Sequence, residues 1–200
     1  MKWILLIILF CLVYERVTRK YVNPYKLTMI FGKKGSGKTT LLTKLAIQHL
    51  KKGWHVYSTI EIPGTQLFDV EEIGFYTFPE NSCILIDEIG MIFDNRNFKN
   101  FKTEWRDWFK YQRQYKCKVY CFSQVYNDID LKIRVLTDEL WLAKPFARVF
   151  SIRRRINKSF GIKETSDGMS TIDESFKYDS ILFGGLKFTF IPSMLILYSL

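Results

Sequence analysis

Short apolar runs separated by polar turns dominate the first two thirds of the chain. Residues 26–31 form a branched and aromatic run ending at Gly32, which predicts a buried strand. Within residues 39–51, Leu41, Leu42, Leu45, Ala46 and Leu50 return near helical spacing until Gly53, which predicts an amphipathic helix. Residues 54–60, 75–78, 83–86, 119–122 and 140–143 predict further strands. Phe101, Trp105, Trp108, Phe109 and Gln112 recur every three or four positions, which predicts a helix over 101–115 with its aromatic face on the sheet. A shorter helix is expected over 128–136, and the alternation over 148–156 predicts a strand beyond the core. Strand, helix and strand repeating at this spacing predict an α/β fold with a mostly parallel sheet flanked by helices.

Both ends of the chain are apolar. Residues 3–14 carry no charge, with Lys2 before them and Glu15, Arg16, Arg19 and Lys20 after. A helix of that length covers about 18 Å, short of the roughly 30 Å hydrocarbon core. It reads as a short membrane anchor, a secretory leader or a buried element. No small-x-small cleavage site follows, which disfavours the leader. The charge bias after it would hold the next domain on the cytoplasmic side. Residues 181–200 are apolar apart from Lys187, a few hydroxyls, Gly184, Gly185 and Pro192. They read as a strand over 186–191 or as a tail in or against a membrane. The expected organisation is an apolar segment over 1–20, a main domain over 21–165 and an extension over 166–200.

Composition sharpens this picture. Forty-eight per cent hydrophobic and sixteen per cent aromatic residues exclude a disordered chain. The net charge of +10 is unevenly spread: residues 1–60 hold eleven Lys and Arg against Glu15 alone, and residues 144–163 hold seven and no acid. Such a surface suits phosphate, nucleic acid or an anionic membrane face. In a strand, Arg153 and Arg155 would share one face and Arg154 would take the other. Cys11, Cys83, Cys117 and Cys121 have neither the spacing of a disulfide framework nor that of a zinc knuckle.

The chemistry concentrates at two places. Gly32-Lys33-Lys34-Gly35-Ser36-Gly37-Lys38-Thr39 satisfies the phosphate-loop pattern G-x-x-x-x-G-K-[ST], between a predicted strand and a predicted helix. The glycines allow a tight backbone whose N–H groups face phosphate oxygens, and the helix start, with Thr39 and Thr40, adds donors and partial positive charge. Lys38 should reach the β- and γ-phosphates of ATP, and Thr39 should ligate Mg²⁺. The second place is the apolar run 83–86, ending in Asp87 and Glu88. Asp87 is placed to hold Mg²⁺ and Glu88 to polarise the attacking water, which favours hydrolysis over transfer to a metabolite. Gln124, just beyond the strand over 119–122, is a candidate γ-phosphate sensor. Arg113 and Arg134 are candidates for a cation supplied to a neighbouring subunit.

These motifs, with the block from Trp105 to Arg134, resemble the zonular occludens toxin-like ATPase domain of filamentous phages, the gene I protein type of morphogenesis protein. The wider kin are DNA-pumping ATPases of the FtsK and HerA superfamily. The resemblance rests on Tyr111-Gln112-Arg113, Ser123-Gln124, the segment Asp130 to Arg134 and the strand 139–143 before a basic region. It implies a P-loop ATPase that forms a homo-oligomeric ring at the host inner membrane, facing the cytoplasm. It also implies phage assembly and coat proteins as partners, with single-stranded DNA as a further one, in the extrusion of virions. The order of apolar segments departs from the family layout, and no sizeable outer domain follows. Alternatives from the same motifs are a DNA translocase or packaging ATPase and a nucleotide-regulated membrane scaffold.

Overall fold

Alternation decides which face each strand residue meets. In β1 (Leu27–Phe31), Leu27 and Met29 enter one apolar cluster while Ile30 enters another. Both faces of the sheet are therefore covered, as expected for parallel strands buried on both sides. The computed structural model describes residues 2–18, 21–93, 102–147, 149–164, 170–181 and 184–190.

After β1 the chain forms α2 (Lys38–Leu50), preceded by α1 (Lys2–Thr18) at the N-terminus. There follow β2 (His55–Ser58), β3 (Gln66–Leu67), β4 (Ser82–Ile86), α3 (Ile89–Ile92), α4 (Thr103–Tyr111), β5 (Cys117–Ser123), α5 (Leu131–Leu136) and β6 (Glu139–Phe146). The sheet runs β3-β2-β4-β5-β1-β6, with every neighbouring pair parallel. Then β7 (Phe150–Glu164) turns back antiparallel on β6, and its other edge carries β8 (Ser170–Tyr178) and β9 (Leu186–Phe190). β8 and β9, which fall in the expected C-terminal extension, thus continue the sheet of the main domain.

Leu41, Leu42, Leu45 and Ala46 of α2 pack on Ile30, Leu85, Phe122 and Trp141. The opposite face receives Trp105, Trp108 and Phe109 of α4 and Ile133 of α5, over Met29, Ile84, Ile86, Val119 and Cys121. The aromatic face of α4 is thus core. Burial pushes the Cys83 and Cys117 thiols up to about 12, which keeps them protonated and unreactive.

Residues 75–78 do not form the expected strand. Gly74 turns with φ +92°, and the N–H groups of Phe75 and Tyr76 both donate to the Glu72 carbonyl, so they are spent on a turn. Phe78 alone enters the core, edge-on to Tyr57 and near Trp108. The short edge strand β3 takes the place on β2. The expected link over residues 90–100 opens with α3; residues 94–101 lie outside the described residues, as do Arg148 and 191–200. In α1, Trp3, Ile4, Leu6, Ile7, Leu9, Phe10, Val13 and Tyr14 are exposed. Among the described residues no helix is long and apolar enough to cross a membrane.

Candidate active site

Parallel pairing in register brings three strand ends level. Phe31 of β1 stands beside Ser123 of β5 and Leu142 of β6, and Ile86 of β4 beside Cys121. Crevices beyond the carboxyl ends of such strands are where open α/β sheets place ligands. All the candidate residues except the two arginines gather here.

The loop from Gly32 to Thr39 leaves β1 pressed against β6. A Cβ on Gly32 would lie 2.3 Å from the Ala143 carbonyl oxygen and 2.9 Å from Ser36 Oγ, so only glycine fits. Gly35 and Gly37 take φ of +79° and +81°, and Gly37 delivers the chain into α2. Lys33, Lys34 and Gly35 are exposed, whereas Ser36 and Lys38 are buried, with Thr39 exposed in the first helical turn and Thr40 half-buried behind it. The Lys38 ammonium folds back into its own loop, donating to the carbonyls of Gly32 at 2.7 Å and Lys33 at 3.3 Å. Two bonds from distant strands hold the loop: Gly32 N–H donates to the Ser123 carbonyl at 3.2 Å, and Ser151 Oγ donates to the Ser36 carbonyl at 2.6 Å.

Asp87 emerges from β4 half-buried. Its N–H donates to Thr59 Oγ1 at 2.9 Å, and its carboxylate accepts the Glu88 N–H at 3.1 Å. Burial, then the charge of Glu88, push the Asp87 carboxyl above the usual range, against the pull of the Glu88 N–H and Lys38. Glu88 has a left-handed backbone, φ +47° and ψ 47°, which costs a residue with a side chain about 1–3 kcal/mol and clusters at functional sites. Its Oε1 accepts from Gln124 Nε2 at 3.1 Å. Beside this pair opens a cavity of about 430 Å³ lined by Glu88, Gly90, Ser123, Gln124 and Asp128.

The arrangement fits a nucleotide with its metal. Ser36 Oγ is buried with no hydrogen-bond partner among the described residues, inside a cradle where Gly32 leaves no room for a side chain. Thr39 and Asp87 form an oxygen-only donor set, the hard chemistry that suits Mg²⁺.

The arginines stand elsewhere. Arg113 follows α4 at the amino end of the sheet, where it pairs with Asp138, so the length of β5 separates it from its own phosphate loop. Arg134 is buried, bonded to Glu174 of β8 at 2.8 Å, with its guanidinium 5.1 Å from the Tyr126 ring centre. The charge of Arg134, a candidate cation for a neighbouring subunit, is met inside its own chain by Glu174. Thr59, Ser151, Asp138 and Glu174 carry no sequence signal. Each acquires its role from a strand or helix remote in the chain.

No family model matches the sequence, and no curated protein does. Solved structures are similar in fold. The N-terminal domain of zonular occludens toxin from Neisseria meningitidis aligns over 82% of this chain and 99% of its own, at 16% identity and a TM-score of 0.53. This is a zonular occludens toxin-like P-loop fold. The genome packaging NTPase B204 of Sulfolobus turreted icosahedral virus 2, in complex with ATP-gammaS, aligns over 76% of this chain and 97% of its own, at 9% identity and a TM-score of 0.53. The same protein in complex with AMPPCP gives 11% identity and 0.51, over 76% and 98%. At these identities the likeness is one of chain path.

Proposed function

We propose that the chain is an ATP-hydrolysing motor for the assembly and extrusion of filamentous phage virions at the host inner membrane. The observation that carries hydrolysis is the Glu88–Gln124 pair at the mouth of the phosphate loop. Gln124 holds the carboxylate with one donor, and Glu88 itself has a left-handed backbone. In that position Glu88 orients a water and takes its proton as it attacks the γ-phosphate. Lys38 exchanges its loop carbonyls for phosphate oxygens, and the loop N–H groups hold the β-phosphate. Thr39 and Asp87 would hold Mg²⁺, which supplies charge compensation on the β- and γ-oxygens.

The membrane part of this reading is supported by α1. Its exposed apolar residues need a cover that the described residues do not supply. A helix of seventeen residues reaches about 26 Å. In this reading it lies in or along the bilayer face, with the basic domain on the cytoplasmic side. The ring, the assembly and coat proteins and the single-stranded DNA are proposed on the family resemblance.

The test is virion release. In cells producing the phage, the Lys38→Ala protein should leave coat protein and single-stranded DNA inside the cell, with extracellular particles lost. Normal release from such cells would sink the reading. A second reading is genome packaging, favoured by the equal TM-score to B204. Hydrolysis stimulated by duplex DNA, with unaffected release, would select it.

A further inference from the structure

On the α2 side of the sheet, at the amino-end half of the strands, lies a second cavity of about 460 Å³, separate from the phosphate loop. Four cations line it: Lys26 from the entry to β1, Lys118 from β5, Arg153 from β7 and Lys187 from β9. The only acid in the wall, Glu139, is committed: it bonds Lys26 at 2.7 Å and accepts the Trp141 indole N–H at 3.2 Å. Lys118, Arg153 and Lys187 have no carboxylate at ion-pair distance among the described residues, and Arg153 Nε is buried without a hydrogen-bond partner. Each lies close to an aromatic ring. Lys187 Nζ lies 4.6 Å from the Trp141 ring centre, the Arg153 guanidinium 6.0 Å from it, and Lys118 Nζ 5.5 Å from that of Tyr120. Three partly desolvated cations from three strands thus converge on a concave space whose single carboxylate, Glu139, is already paired with Lys26. Burial holds all three below their ordinary pKa, a cost that a bound anion would relieve.

We infer that this cavity binds the phosphate headgroup of an anionic phospholipid. A guanidinium fork flanked by ammonium groups matches a phosphate, and the volume suits a headgroup. A stacked base is disfavoured, because Trp141 is buried and the cations lie over the rings of both Trp141 and Tyr120. The lipid source follows from position. Val22, Asn23 and Pro24 form part of the rim, and Pro24 is six residues beyond Thr18, the last residue of α1, so at most about 21 Å of chain separates them. This inference rests on the reading of α1 as a membrane element.

Sedimentation of the full-length protein with vesicles tests it, using phosphatidylcholine alone and phosphatidylcholine with phosphatidylglycerol. Neutral vesicles report α1; the gain on adding the anionic lipid reports the cavity. The doubly substituted Arg153→Gln, Lys187→Gln protein should bind neutral vesicles as before and lose roughly thirtyfold in affinity for anionic ones. Lys187→Gln alone, with its fold checked by circular dichroism, should lose about fivefold. A matching double substitution of the exposed Lys44 and Lys51 to Gln should lose less, since those cations line no part of the cavity. An equal loss in that control would overturn the cavity as the cause, leaving general surface charge. Failure of the unsubstituted protein to bind either vesicle would overturn the membrane reading, and the lipid with it. With the phosphate loop saturated by an ATP analogue, sn-glycerol 3-phosphate should displace the protein from anionic vesicles. Displacement at far lower concentration by a single-stranded oligonucleotide, lost in the double variant, would assign the cavity to nucleic acid and overturn the lipid.

Discussion

The two ends of the one sheet handle charge in opposite ways. Around the loops at the amino end, outside the cationic cavity, ions find partners: Arg113 with Asp138, Lys116 with Glu80 and Lys26 with Glu139. At the carboxyl end, Asp87 and Glu88 sit side by side with raised electrostatic cost, Glu88 is held in a left-handed backbone, and Ser36 Oγ is buried without a partner. Strand hydrogen bonding runs unbroken between them, so the contrast is one of side chains. A rigid frame fastened by ion pairs around its amino-end loops allows unsettled charges beside the phosphate loop. Perturbed groups of this kind gather where a ligand completes the balance.

The sharpest way to break the contrast is Glu88→Gln. It should lower kcat by about 10²- to 10⁴-fold with nucleotide affinity retained, read by steady-state hydrolysis and a fluorescent-nucleotide titration. Next in size, Arg134→Ala should destabilise the fold by about 3 kcal/mol in urea titration, because it strands Glu174 in a site where each side chain is only 11–12% exposed. Arg134→Met with Glu174→Leu should recover most of that loss, as expected for a structural pair. Hydrolysis per folded molecule should then match the unsubstituted protein.

Gln124→Ala should cost about tenfold in kcat through the freed Glu88 carboxylate, and nothing further in a Glu88→Gln background. Asp87→Asn should separate function from stability. A carboxyl whose folded pKa is raised binds its proton more tightly in the folded state. Its contribution to stability is therefore greatest below the ordinary carboxylate pKa and is lost as pH rises through the raised value. At neutral pH without Mg²⁺, Asp87→Asn should raise Tm by about 2–4 °C while abolishing metal-dependent hydrolysis, and the gain should vanish in acid. The smallest effect belongs to Arg113→Ala. With Arg113 half-exposed, its pair with Asp138 should be worth less than about 1 kcal/mol in the same urea titration. A larger loss would show that the amino end is as finely balanced as the carboxyl end.

Most of the sheet was legible from residue order, because period-two burial and branched residues mark β1, β4, β5 and β6 locally. The turn at residues 75–78 was misread, since its aromatic run looks like a strand and only the carbonyl of Glu72 reveals where its donors go. Within the candidate site, the loop and the Asp87–Glu88 pair are contiguous motifs and could be read directly. Thr59 and Ser151 could not, as each hydrogen-bonds a backbone 28 or 115 residues away. The partner of Arg134 was hidden for the same reason: Glu174 lies forty residues on.

By itself, then, the sequence determined the nucleotide chemistry, since a phosphate loop needs glycines and a lysine at fixed spacing along a continuous backbone. It also determined the alternation that buries both faces of the parallel strands. Only the tertiary structure decided which charges remain uncompensated. It closed Arg134 onto Glu174, set Gln124 against Glu88, and drew Lys118, Arg153 and Lys187 from three strands around one cavity. The physical reason is range. Backbone conformation is dictated by neighbours along the chain, whereas the solvation and pairing of a charge depend on whatever the fold brings within a few ångströms.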